Sequence, residues 1–189
     1  MNARIAPANP PFPADIQNQL NRVMPRGMAP LTLFTTLARD PRLFGKFFAA
    51  GLLDRGHLTL RQREIVIDRT TALCGSEYEW GVHIALFASR AELTDAQVAA
   101  LSRASADHET WSPNDRLLLR LCDALHRDCT VDETLWRALK ADFSDEAIVE
   151  LLMLAGFYRT VSYLTNALEL PLESYAARFR TRRADSRTP

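Results

Sequence analysis

The sequence predicts an all-α bundle of seven to nine helices. Three observations predict it. Apolar residues recur at spacings of three and four along most of the chain. Helix-start signals are frequent. No run of alternating β-branched residues reads as a strand, and seven glycines in 189 residues are too few for a turn-dense β fold.

The elements follow in order. Residues 1 to about 13 carry four prolines and no periodicity, so they read as an extended arm. Short helices are expected at 14–24 and 30–39. Asp40-Pro41 places a cap before a proline at the first helical position and opens a helix to about Leu53. Thr59 with Gln62, and Thr94 with Gln97, read as capping boxes that start two more helices. Gly75-Ser76 breaks the first of these after about Leu73, and a new helix runs from about Glu77 to Arg90. Ser112-Pro113 opens a helix to about His126, and 132–141 forms another. Ser144 starts the last and longest helix, to about residue 169, where Pro171 closes it. The basic, polar end RFRTRRADSRTP reads as a frayed tail.

Size and charge narrow the function. A chain of 189 residues holds one domain with a real core. Its 23 basic residues balance 23 acidic ones, which disfavours a nucleic-acid partner, since phosphate binding needs a basic excess. The longest apolar run, Leu151 to Phe157, is far short of the roughly 20 residues of a membrane span, and the N-terminus lacks a stretch of signal-peptide length. Three cysteines suit a reducing cytoplasm better than a disulfide framework.

The chemistry concentrates in residues 61–90. The short break at Gly75-Ser76 folds two helices into a hairpin. At about 1.5 Å per residue, Glu64 lies roughly 16 Å before Gly75 and His83 roughly 12 Å after it, so the two come nearly level. Glu79 and His83, four apart, share a helix face. The spacing thus predicts a cluster of Glu64, Glu79 and His83, with Ser76, Tyr78 and Cys74 nearby. Two carboxylates beside an imidazole make a general acid–base set. The same spacing also describes a plain surface ion pair. No metal site is expected. Glu79, His83 and Glu64 lack the paired Glu-x-x-His of a di-metal bundle, and Cys122, His126 and Cys129 lack zinc spacing.

Glu64, then Tyr78-Glu79-Trp80, then His83, resembles the carboxymuconolactone decarboxylase family, whose superfamily includes the AhpD alkylhydroperoxidase proteins. A second block, ELLMLAGFYRTVSYLTNALEL at 150–170, resembles the family's C-terminal helix, with Tyr158, Arg159 and Asn166 at matching places. The resemblance covers roughly residues 30–170. It implies an AhpD-like helical bundle with a central helix hairpin, preceded by an arm and first helix (1–29) and followed by a tail (171–189). It implies a homo-oligomer, commonly a trimer or hexamer, acting on a small molecule without a cofactor. The catalytic residues it implies are Glu64, Glu79 and His83. Tyr78, Ser76, Cys74, Tyr158 and Arg159 would contact substrate, Arg159 by pairing with a carboxylate.

The AhpD branch keeps a Cys-x-x-Cys pair seven and four residues before the His. Ser76 and Glu79 stand there in this chain, so a dithiol cycle has neither sulfur in place. The decarboxylase branch carries Glu at the second position. The resemblance therefore implies a decarboxylase-type lyase using Glu/His acid–base chemistry on a small carboxylate or lactone. The alternatives are a thiol peroxidase using Cys74 and a non-catalytic helical oligomer that binds a ligand.

Overall fold

The structure is a computed structural model that describes residues 3–52, 54–103 and 106–179. The described residues form nine α-helices and no strand: α1 Ala14–Val23, α2 Thr32–Leu37, α3 Pro41–Ala50, α4 Leu60–Leu73, α5 Glu77–Phe87, α6 Asp95–Arg103, α7 Pro113–Asp128, α8 Glu133–Asp142 and α9 Asp145–Ala167. The all-α expectation holds, and α3, α4, α6, α7, α8 and α9 begin at a capping side chain. Asp40 accepts hydrogen bonds from the backbone of Arg42 and Leu43 ahead of Pro41. Thr59 and Gln62 exchange both bonds of a capping box at α4, and Thr94 and Gln97 do the same at α6.

Helix α4 is the axis of the fold. It packs against α5, α6, α7 and α9. Residues Glu64 to Thr71 are all buried, so α4 has no solvent face in its centre. That explains its poor amphipathic pattern: charged residues sit inside and must be paired there. Arg61 pairs with Asp115 at 2.9 Å and Arg69 with Asp123 at 2.7 Å. Both pairs have the same offset along the chain, which sets α4 and α7 parallel and in register.

The hairpin turn is a Schellman motif. Ser76 N–H donates to Thr71 O and Gly75 N–H to Ala72 O. Gly75 takes a left-handed φ of +65°, which a side chain would oppose. The chain therefore reverses within two residues and lays α5 along α4.

Helix α9 closes the core with Ile148, Leu151, Leu154, Ala155, Tyr158 and Val161 buried. By length and composition α9 is also apolar enough to cross a membrane, although no single unbroken apolar run in the sequence suggested it. Here it packs on α4, α5 and α8, with Val149, Met153 and Tyr163 exposed.

Both flanks dock on the bundle. In the arm, Arg4 N–H donates to Leu168 O and Ala8 N–H to Thr35 O. Residues 171–179 return to α5, where Ala177 N–H donates to Gly81 O and Phe179 stacks on Trp80 at 4.9 Å. This part of the expected tail is packed, because it covers the indole of Trp80, which is otherwise an exposed apolar cost. The remainder of the tail, 180–189, lies outside the described residues.

Candidate active site

Two helices bring the central cluster together. Glu64 projects from the second turn of α4 and His83 from α5, and the hairpin sets them level. His83 Nδ1 and Glu64 Oε2 are 2.7 Å apart. His83 Nε2 lies 3.4 Å from Glu79 Oε1, one helical turn back on α5. All three side chains are buried, Glu64 to 1% exposure. The imidazole thus sits between two carboxylates. Arg63 adds a guanidinium 3.7 Å from Glu64 Oε1.

Asp68 is a fourth member that sequence reasoning missed. It lies one turn after Glu64 on α4, buried at 1% exposure, and its Oδ1 has no hydrogen-bond partner. The i, i+4 spacing from Glu64 was the signal that could have found it.

Burial and charge set the protonation of this group. Burial opposes a charged His83. The Glu64 carboxylate outweighs it, through its charge and its hydrogen bond, and Glu79 adds to it. The His83 pKa is pushed up to about 10, so the side chain is an imidazolium at neutral pH. Burial first, then the Glu64 charge, holds Asp68 well above the carboxylate range. Burial, then Glu79 and Glu64, raise Tyr158.

Glu79 and His83 form part of the wall of a cavity of about 450 Å³ between α1, α2, α3, α5 and α9. Its other walls are mostly apolar and include six aromatic rings: Phe34, Phe47, Phe48, Phe87, Phe157 and Tyr158. The rings pack edge to face in a chain. Phe34 meets Phe48 at 4.9 Å, Phe47 meets Phe157 at 5.1 Å, and the Tyr158 ring stands at 89° to the His83 ring at 5.1 Å. Arg22 and Asp54 are charged residues at its exposed rim. Helix α1, from the N-terminal extension, supplies one side of this rim.

The structure gathers Glu64, Glu79, His83 and Tyr158 at one place, and the other expected contacts elsewhere. Tyr78 is buried with its hydroxyl donating to Glu173 at 2.5 Å and accepting from Leu33 N–H. It ties α5 to α2 and to the C-terminal segment. Ser76 is fully buried with its hydroxyl 2.7 Å from that of Thr165, which locks the hairpin turn onto α9. Arg159 leaves α9 in another direction. It donates to Tyr163 and to His126 O and lines a smaller cavity with Cys122, His126 and Cys129. Cys74 belongs to that second region too, 3.9 Å from His126 Nδ1. Arg159 lies on a different face of α9 from Tyr158, and the other three share one reason. Nearness to the hairpin turn in sequence places a side chain at one end of α5, and the cavity opens beside its middle. Among the described residues no group of three or more His, Cys, Asp or Glu is arranged to hold a metal ion.

Cys74 and Cys122 are poorly disposed for redox work. Burial pushes the Cys74 thiol up, against lowering by Ser162 and Arg159. Burial pushes Cys122 up to about 12. Thiolate chemistry needs the opposite shift.

The fold is that of AhpD-like helical proteins. Residues 41–113 match the model of the Carboxymuconolactone decarboxylase family, a span that contains Glu64, Glu79 and His83. Solved structures share the fold. An uncharacterized peroxidase-related protein from Silicibacter sp. TM1040 superposes with a TM-score of 0.79 at 16% identity, covering 93% of this chain and 94% of the other. An AhpD-core peroxidase-related protein from Ralstonia eutropha JMP134 gives 0.68 at 19% identity, covering 90% and 93%. The debrominase Bmp8 gives 0.71 at 17% identity, covering 90% and 92%, and has also been solved with 2,3,4-tribromopyrrole bound. No curated protein matches the sequence.

Proposed function

We propose that this protein is an acid–base enzyme of the decarboxylase type, acting on a small carboxylate or lactone with Glu64, Glu79 and His83. The observation that carries the reading is the buried imidazole of His83, held at 2.7 Å by Glu64 and facing Glu79 on the wall of a cavity. Loss of carbon dioxide or of a proton beside a lactone carbonyl leaves a conjugated enolate. A buried cation stabilises that charge, and an N–H donor can protonate the carbon. His83 serves both needs. Glu64 fixes its orientation and keeps it charged. Glu79, the carboxylate shared by the imidazole and the cavity, is the group placed to take or return the substrate's proton.

The thiol peroxidase reading is disfavoured by the position of Cys74 outside the cavity and by its raised pKa. The exposed apolar residues Val149, Met153 and Tyr163 on α9 support a homo-oligomer, which sedimentation at micromolar concentration would test. The functional test is a panel of unsaturated lactones and aromatic acids followed by NMR in D₂O. The wild type should decarboxylate a member or exchange its carbon-bound hydrogen, and His83→Gln should abolish this. No turnover or exchange on any member would leave the non-catalytic ligand-binding reading in its place, and full activity in His83→Gln would remove His83 from the mechanism.

A further inference from the structure

The cavity has one cation to spare, and it stands at the mouth. Two basic residues line the cavity: His83 on its buried wall and Arg22 on α1 at the exposed rim. His83 is matched by Glu64 at 2.7 Å and by Glu79 at 3.4 Å. Among the described residues no carboxylate lies within ion-pair distance of Arg22. Asp54 stands at the same rim without pairing with it.

Helix α1 is seated so as to present this arginine. Ile16 and Leu20, each 1% exposed, pack with Ala38 and Phe44 in a small core of their own. Gln19, Arg22 and Val23, spaced three and four apart, form a second face of the same helix, and all three line the cavity. The first face anchors the helix, and the second puts a guanidinium group at the opening. Helix α1 precedes the matched residues 41–113, so this cation comes from the N-terminal extension and not from the hairpin.

The rest of the cavity suits a ring. Its aromatic side chains favour a flat unsaturated body, and about 450 Å³ accommodates one or two rings. A guanidinium matches a carboxylate in two parallel hydrogen bonds, and the apolar wall on one side lessens the screening by water.

We infer that Arg22 is a specificity residue, which selects substrates bearing a carboxylate at the end remote from the reacting carbon. The ring lies among the aromatic side chains, the reacting end meets His83 and Glu79, and the retained carboxylate stays at the mouth on Arg22. Arg22 thus takes the carboxylate-pairing role that the resemblance gave to Arg159, which lines the other cavity. Asp54 repels the same carboxylate and holds it to the α1 side of the mouth. The inference rests on the acid–base reading only in placing the reacting end at His83 and Glu79.

Two probes of one shape and different charge test it by calorimetry at pH 7 and low salt: 2-naphthylacetate and 2-naphthylacetamide. The wild type should bind the acetate more tightly. Arg22→Gln should weaken the acetate by roughly three- to tenfold and leave the amide within about twofold. Asp54→Asn should act with the opposite sign, tightening the acetate and leaving the amide unchanged. Phe48→Ala should weaken both, which places the ring in this cavity. Circular dichroism confirms that the variants are folded. Acetate binding unchanged in Arg22→Gln, equal losses for acetate and amide, acetate binding insensitive to Phe48→Ala, or no acetate binding at millimolar concentration would each overturn the inference. The two readings fail separately. The expected charge pattern with His83→Gln fully active removes His83 from the chemistry and keeps Arg22. Binding that ignores the charge at position 22 removes Arg22 and leaves the acid–base chemistry standing.

Discussion

Raising the pH from 6.5 to 8.5 should destabilise this fold, and His83 is the reason. In the folded protein its pKa is pushed up to about 10 by Glu64, against an ordinary value of 6.5. Below pH 6.5 both the folded and unfolded chains hold the proton, and the full stabilisation from the Glu64–His83 pair is present. Above 6.5 the unfolded chain gives the proton up while the folded one keeps it. Stability then falls by about 1.4 kcal/mol per pH unit until the folded pKa is passed. Across 6.5 to 8.5 the loss is about 2 kcal/mol, since the unfolded imidazole is only half deprotonated at the start. For a domain of this size that lowers the urea midpoint by about 1 M. Near the upper limit the unfolded thiols begin to ionise, and Cys74 and Cys122, both raised by burial in the fold, add a smaller loss of the same sign. Asp68, also raised, adds a loss of the same sign as pH rises above its ordinary 3.8. The assay is urea unfolding followed by far-ultraviolet circular dichroism at four pH values, on wild type, His83→Gln and Glu64→Gln. Both variants should show a much smaller fall in the midpoint across the range, what remains coming from Asp68 and the thiols. A flat wild type, or a wild-type slope that survives in His83→Gln, would refute the charge state assigned to this cluster.

Other outcomes follow from the same geometry. Glu79→Gln should leave the fold intact and lower turnover by roughly 10²–10⁴, measured on whichever panel substrate the wild type accepts. Asp68→Asn, by removing a buried acid whose pKa burial raises, should flatten the fall in stability as pH rises above 4, read by the same unfolding assay. A thiol reagent should label exposed Cys129 first in the native protein, with buried Cys122 reacting only after denaturation; prompt reaction of Cys122 would contradict the packing. Gly81→Ala would bring a Cβ within 2.3 Å of Ala177 O. It should cost on the order of 1–3 kcal/mol, as overpacking does, and make residues 171–179 easier to cleave by trypsin in limited proteolysis.

The sequence by itself determined the helices and the hairpin. Caps act within three residues, so Asp40, Thr59, Thr94, Ser112 and Ser144 announced where helices begin, and Gly75 announced where the hairpin turns. The meeting of Glu64 with His83 was also legible, because two helices joined by a two-residue break have little freedom in register. Asp68 was within reach of the same argument, four residues on, but a lone carboxylate on a helix carries no sign of its burial. That α4 is buried all round was not legible, since a helix enclosed by four others loses the one-sided pattern that marks a core face. Only the tertiary structure decided what opens onto the cluster. The cavity is assembled from α1, α2, α3, α5 and α9, and no local rule relates Phe48 to Phe157 or either to His83. It also decided against Tyr78, Ser76, Cys74 and Arg159 as cavity residues. Their direction depends on how α9 and the C-terminal segment pack against the hairpin, and that packing is set by contacts up to about a hundred residues apart.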